Sequence, residues 1–358
     1  AAYAVAVLTV GHHSEAGPDV RVRFSQDAVL AVLDVWLCAL VLCAPEVLRR
    51  LATLATATTD ARNLSILRVG LAATAFVLET FWAGGSPDDL SRRVFDCGER
   101  FCFPPEFYNP PPTMRAVYAA LGVPRHTMHR YRVMHRVIQA SSGLLAVGLF
   151  SRCAALTLAV ALLDTMTLNQ SWAAVSDGWR WYGEEAAPLF VAVLFLGLAP
   201  SLRLPWSLDG RISAGRGAPL RGRQPRLVHV AVLLHLGVMY WVAGFWKLWN
   251  SGLDWVLDES VLMSFLAVHG TCGALAYGKP PLAALLAALP APDWLLRGLV
   301  RAGAASAVLM ELLFLPMLLL FCPGPARCLA LCAVPVAFHI GVFQMMHLDF
   351  WVMAAIPA

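Results

Sequence analysis

Long apolar runs broken by short polar stretches dominate this chain, and their lengths decide what they build. A helix that crosses a bilayer needs roughly 17–25 mostly apolar residues. Runs of that kind lie at Asp27–Leu48, Leu64–Trp82, Ala186–Ala199, Val228–Trp249, Ala302–Phe321 and Cys328–Met346. The run Val137–Leu168 exceeds one span and is broken at Ser151 and Arg152, which predicts a hairpin of two short helices. Pro290 and Pro292 interrupt Pro280–Val300 and predict a broken or re-entrant helix. The expected fold class is all-α: a multi-pass transmembrane helical bundle of about 7–9 spans with interfacial helices, the architecture that satisfies backbone groups in hydrocarbon.

Composition supports that solvent. Of 358 residues 59% are hydrophobic and 14% charged, and mean hydropathy is +0.64. A soluble domain carries roughly 25% charged residues, so a water-soluble class is excluded. The net charge of +4 comes from arginines that gather between apolar runs, with Lys247 and Lys279 as the two lysines. That is a topology signal and not a nucleic-acid platform. Ser201–Arg226 holds arginines 203, 211, 216, 221, 223 and 226 against Asp209 alone. Arg49, Arg50 and Arg62 lie in a second loop, and Arg152 at the hairpin tip. Counting spans puts these three segments on one positive side. The opposite side receives Ala83–His135, the acidic loop Ser171–Glu185, and Asn250–Glu259. Trp82, Trp172, Trp179, Trp181, Trp246, Trp249 and Trp255 gather there as an aromatic belt. The expected partners are membrane lipids and other membrane subunits, with no nucleic acid. The expected location is an integral one, in the endoplasmic reticulum or an organellar inner membrane. The first residue is Ala1, which predicts that an upstream segment precedes it.

Few residues could carry chemistry. Lys247 sits near the end of a strongly apolar helix, on the face of Tyr240, Ala243 and Gly244. An ionisable group there is a functional hypothesis by default. A desolvated lysine can serve as base or nucleophile; otherwise it snorkels to the interface between Trp246 and Trp249. His229 shares its face but lies 18 residues away, roughly 27 Å along the axis. Glu311 is an isolated acid whose expected role is pairing with Arg68 or His339. His126, His129 and His135 lie among arginines, a poor setting for a metal, and their segment reads as a basic interfacial helix. No metal site is expected. Cys97 and Cys102 share a polar loop and are either bridged or free, while the other cysteines lie in or beside apolar runs as small hydrophobes.

Several segments together resemble the horizontally transferred transmembrane domain, the membrane part of vitamin K-dependent γ-carboxylases and their relatives. They are LSILRVGL (64–71), GLFSRCAAL (148–156), LNQSW (168–172), WSLDG (206–210), YWVAGFWKLWNSGLDW (240–255), MELLFLP (310–316) and FHIGVFQMMHLDFW (338–351). They occur in the family's order. The resemblance implies a carboxylase-like transmembrane domain over residues 60–358, preceded by an extension over 1–59 with one transmembrane helix. It also implies Lys247 as the base that deprotonates a lipid quinone, a vitamin K-like hydroquinone. Where the carboxylases place a histidine after an asparagine, this chain has Asn169 followed by Gln170. Glutamine can donate to a developing oxyanion but cannot shuttle a proton as imidazole does. Two functions follow as expectations. One is a carboxylase-like enzyme or quinone-binding protein using Lys247, Asn169 and Gln170. The other is a non-catalytic accessory subunit of a larger membrane complex that keeps the scaffold.

Overall fold

The computed structural model describes residues 42–49, 56–78, 112–123, 128–173, 180–199, 204–217, 222–257, 292–321 and 325–346, with single positions at 34, 38, 52 and 53. The elements are mostly helices: α1 (Ala61–Val77), α2 (Pro112–Ala120), α3 (Met128–Val147), α4 (Ser151–Ala173), α5 (Arg180–Leu198), α6 (Leu208–Gly215), α7 (Leu227–Ser251), α8 (Asp254–Leu257), α9 (Asp293–Phe321) and α10 (Pro325–Met346). Two three-residue strands, β1 (Thr58–Asp60) and β2 (Arg223–Pro225), pair antiparallel. Nothing in their polar sequences shows the period-two alternation that announces a strand. The chain forms two compact units, Ala55–Leu233 and the remainder, with the boundary inside α7.

In the first unit the hairpin α3–α4 packs against α1 and α5. Leu64 and Leu71 of α1, Ile138 and Leu145 of α3, Leu158 and Leu162 of α4, and Leu189 of α5 are fully buried. The break predicted at Ser151 and Arg152 falls at residues 148–150, where Gly148 (φ 73°) and Phe150 (φ 49°) turn the chain. Gly148 is required twice over. Its φ is left-handed, and a Cβ there would lie 2.3 Å from Arg68 Nη1 and 2.4 Å from Ser207 Cβ.

Around that turn the structure joins the three segments that charge counting put on one side. Strand β1, from the Arg49–Asn63 loop, pairs with β2 at the end of the Ser201–Arg226 loop. The backbone N–H of Asp209, in that same loop, donates to Gly148 O at the hairpin tip (2.9 Å). The Asp209 carboxylate accepts from the N–H groups of Phe150 (2.9 Å) and Ser151 (2.8 Å) and from Ser151 Oγ (2.9 Å). It thereby satisfies the donors that open α4, as a capping carboxylate does. Asp209→Ala should cost about 1–2 kcal/mol through the lost cap. Asp209→Asn, which keeps one acceptor, should cost less. Thermal unfolding in detergent checks the order.

In the second unit α9 packs against α10 and against the short α8. Helix α7 meets α9 through glycines: a Cβ on Gly237 would lie 2.9 Å from Leu315 Cδ1, and one on Gly244 would lie 2.9 Å from Glu311 Cβ. Small residues at these two positions let the helices approach closely. The outward faces are apolar. Val238, Val242 and Trp246 form one exposed stripe on α7, and Leu309, Leu313 and Met317 another on α9.

Among the described residues two helices are long and apolar enough to cross a membrane, over Leu227–Trp249 and Arg297–Leu319. Ala187–Leu198 and Leu331–Gly341 are shorter apolar stretches. Several expected bounds shift. Helix α5 begins at Arg180, with its polar first turns preceding the apolar part, and carries Pro188 inside. Residues 293–300, expected in the broken helix, are instead the first turns of α9, which starts just after Pro292; Leu295 N donates to Pro292 O (2.9 Å). The rest of the Pro280–Val300 stretch lies outside the described residues, as do most of Asp27–Leu48 and the Cys97–Cys102 loop.

The basic segment before the hairpin is also different from the interfacial helix expected. His129 to His135 are the opening turns of α3, and Tyr131 and His135 are buried with Ile138 and Leu145 in one continuous face. Packing claims this helix because the apolar face continues unbroken into residues 137–147. His129 is exposed, and His126 lies outside the described residues. No group of three metal-binding side chains occurs among the described residues.

Candidate functional site

Three polar clusters lie among apolar side chains, two in the first unit and one in the second. The first surrounds Arg68, which is 0% exposed in the middle of α1. Its guanidinium donates to Leu145 O (2.5 Å) and Ala146 O (3.1 Å) at the end of α3, and to Trp206 O (2.8 Å). Carbonyls at a helix end have no partner within the helix, and one planar fork with five donors serves several of them at once. Arg68 therefore does not pair with Glu311. It is spent on backbone.

An ion pair in the same unit joins Arg130 of α3 to Asp164 of α4. The hydroxyl of Tyr118, on α2, donates to the same Asp164 oxygen (2.8 Å), and Arg130 lies 5.0 Å above the Tyr118 ring. Burial, and then the bond to Asp164, raise the Tyr118 phenol above its ordinary range, so it remains a donor. The trio ties α2 to the hairpin.

The third cluster is built on α7, α9 and α10. Lys247 Nζ donates to Glu311 Oε1, and it lies 5.8 Å above the Trp255 ring of α8. One turn before Lys247, Gly244 lets the Glu311 backbone come close enough for the pair to form. Glu311 is 5% exposed, and its second oxygen, Oε2, has no hydrogen-bond partner. Two turns before Lys247, Tyr240 lies on the same face of α7. Its hydroxyl meets His339 Nε2 of α10 at 2.7 Å, with Phe314 edge-on to its ring at 5.3 Å. His339, one of the expected partners of Glu311, is thus engaged by Tyr240.

Lys247 is held by a buried carboxylate, a placement that is neither a free desolvated amine nor a side chain reaching for headgroups. The belt tryptophan beside it, Trp246, is exposed, while Trp249 is half-buried in the stack Trp241–Phe245–Trp249. Asn169 and Gln170 lie in α4, and their side chains are outside the described residues. The residue sequence reasoning undervalued is Glu311, and one signal was available: an isolated acid inside an apolar helix demands a cation.

Residues from six of the seven segments that carried the family resemblance lie in the clusters around Arg68 and Lys247, and the side chains of 168–172 are outside the described residues. Arg68, Gly148 with Ser151, and Trp206 with Asp209 meet in the first unit. Tyr240, Gly244 and Lys247 meet Glu311 and His339 in the second. No family model matches the chain, and no curated protein or solved structure is significantly similar to it.

Proposed function

We propose that the chain is a multi-pass membrane protein of the carboxylase-like, horizontally transferred type. In this reading its Lys247–Glu311 couple binds, and takes a proton from, a lipid-soluble hydroxylic ligand such as a hydroquinone. The observation that carries it is the bare Glu311 Oε2. A buried acceptor without a partner costs about 1–3 kcal/mol, more when charged, so a site that keeps one is built for a donor that arrives later. A neutral ligand with a hydroxyl fits. The couple is neutral as a whole, and a charged ligand would bring an uncompensated charge into it.

The proton balance follows from the pair. The ligand hydroxyl donates to Oε2. Its proton passes to the carboxylate, and the ammonium of Lys247 is left to balance the ligand oxyanion. Net charge at the site stays constant throughout, which is what a low-dielectric setting demands. The couple, and not Lys247 alone, has room for the proton. Membrane placement is supported by the two long apolar helices and by exposed leucine and valine stripes on helices that also bury Arg68, Asp164, Glu311 and His339.

Trp255, Trp246 and Trp249 report on binding. An anaerobic titration of the purified chain with a short-chain naphthohydroquinone should quench tryptophan fluorescence saturably. Lys247→Met and Glu311→Gln should each weaken binding about tenfold or more. Absence of saturable quenching, or binding indifferent to both variants, overturns the proposal. The second reading is an accessory subunit, and one observation favours it: the Lys247–Glu311 Oε1 bond already ties α7 to α9. Native-membrane purification should then yield stoichiometric protein partners and no extractable quinone.

A further inference from the structure

At the arginine-rich end of the first unit a crevice of about 60 Å³ opens beside α1, α5 and the start of α7. Its floor is formed by buried Leu64 and Val228, and its mouth by Phe195, Leu198 and Leu227, which are exposed. One side chain in the lining is polar. Gln224 of β2 is 1% exposed, and its Nε2 has no hydrogen-bond partner. The crevice is large enough for several waters, but a water needs two to four polar partners, and one amide does not supply them. Hydrocarbon fits the lining; a hydrogen-bond acceptor at the end of that hydrocarbon fits the amide.

The surroundings select the rest of the ligand. Arg226 stands between Gln224 and Leu227, where α7 begins, and Arg223 is exposed on the same strand as Gln224. The N-terminal end of a helix carries partial positive charge and unsatisfied N–H groups, so it and an arginine beside it attract phosphate. We infer that this crevice seats the ester-proximal segment of one acyl chain of an anionic phospholipid, with the ester carbonyl accepting from Gln224 Nε2 and the phosphate near Arg226 and Arg223. The juxtaposition is of an apolar slot, one buried orphan amide and two arginines at a helix start. The inference rests on the membrane placement but is independent of any ligand at Lys247.

The test uses the full chain purified and delipidated in a neutral detergent. It is titrated with dioleoyl phosphatidylglycerol or dioleoyl phosphatidylcholine and read by native mass spectrometry and thermal unfolding. Phosphatidylglycerol should bind and raise Tm, with phosphatidylcholine about tenfold weaker. Arg223→Gln with Arg226→Gln should erase the difference between the two lipids. Gln224→Leu should weaken phosphatidylglycerol about tenfold while leaving the lipid-free Tm unchanged or higher, because an orphan donor has been removed. That opposition separates a ligand role from a folding role. Equal binding of the two lipids by the parent, or undiminished phosphatidylglycerol binding in Gln224→Leu, overturns the inference. Resistance of the parent protein to alkaline extraction from its membrane reports separately on membrane placement.

Discussion

Lys247→Met should destabilise the protein more than Glu311→Leu, although both break the same bond. Removing one partner of a buried ion pair costs about 3–5 kcal/mol, because the other charge stays buried without compensation. The two survivors are placed differently. The Glu311 side chain is 6% exposed and that of Lys247 25%. An orphaned Lys247 has a long stem and can carry its ammonium outward, whereas an orphaned Glu311 is held against Gly244 with no route to water. The expected loss is therefore near the top of that range for Lys247→Met and well below it for Glu311→Leu. Lys247→Met combined with Glu311→Leu should recover most of the loss, since a well-packed apolar pair replaces a desolvated one. Denaturant unfolding of the four proteins in mixed micelles measures this cycle. An additive double variant would remove the pair from any account of how α7 and α9 stay together. Hydroquinone binding, in contrast, should not return in the stable double variant, which separates stability from function.

Arg68→Met should be the most damaging change in the first unit. The apolar stem fits the same space, so little packing is lost, but the carbonyls of Ala146 and Trp206 lose this donor together, and that of Leu145 keeps only the N–H of Gly148 (3.2 Å). At about 1–3 kcal/mol for each of the two carbonyls left unmet, the expected loss is on the order of 2–6 kcal/mol. Arg68→Lys should recover only part of it, because a compact ammonium cannot span acceptors on two segments as the planar fork does. The damage should be local at first. Hydrogen exchange should rise at the turn 148–150 and at α6 before it rises in the middle of α4, because those segments hang on Arg68 and Asp209. Uniform exchange across the unit would contradict the clamp.

These expectations explain why separated motifs sit together. Leu64–Leu71, Gly148–Ser151 and Trp206–Gly210 share no contact that a linear pattern could display. Yet a buried guanidinium, a glycine that must lack a Cβ, and a capping aspartate form one knot. Each depends on the others: a larger residue at 148 would collide with Arg68, and without Asp209 the donors that follow the turn have no acceptor.

What the sequence determined by itself is the helical class and the coarse plan. Run lengths and the scarcity of charge placed helices close to where they occur, and Ser151 marked the break between α3 and α4 within a few residues. Arginine counting put β1, the hairpin tip and the α6 loop at one end, where they are joined. Those signals are local or statistical, and the chain alone carries them. The partners of the buried charges were decided only by tertiary structure. Periodicity states which face of a helix a residue occupies, but not which neighbour lies opposite or at what height. Lys247 and Glu311 are 64 residues apart, and they meet because two glycines on α7 let α9 approach. Arg68 serves carbonyls and not an acid, because the end of α3 is brought to it by a turn that no apolar pattern specifies. The pairing of β1 with β2 likewise follows from the helices that hold both strands, and not from any preference of five polar residues and a proline.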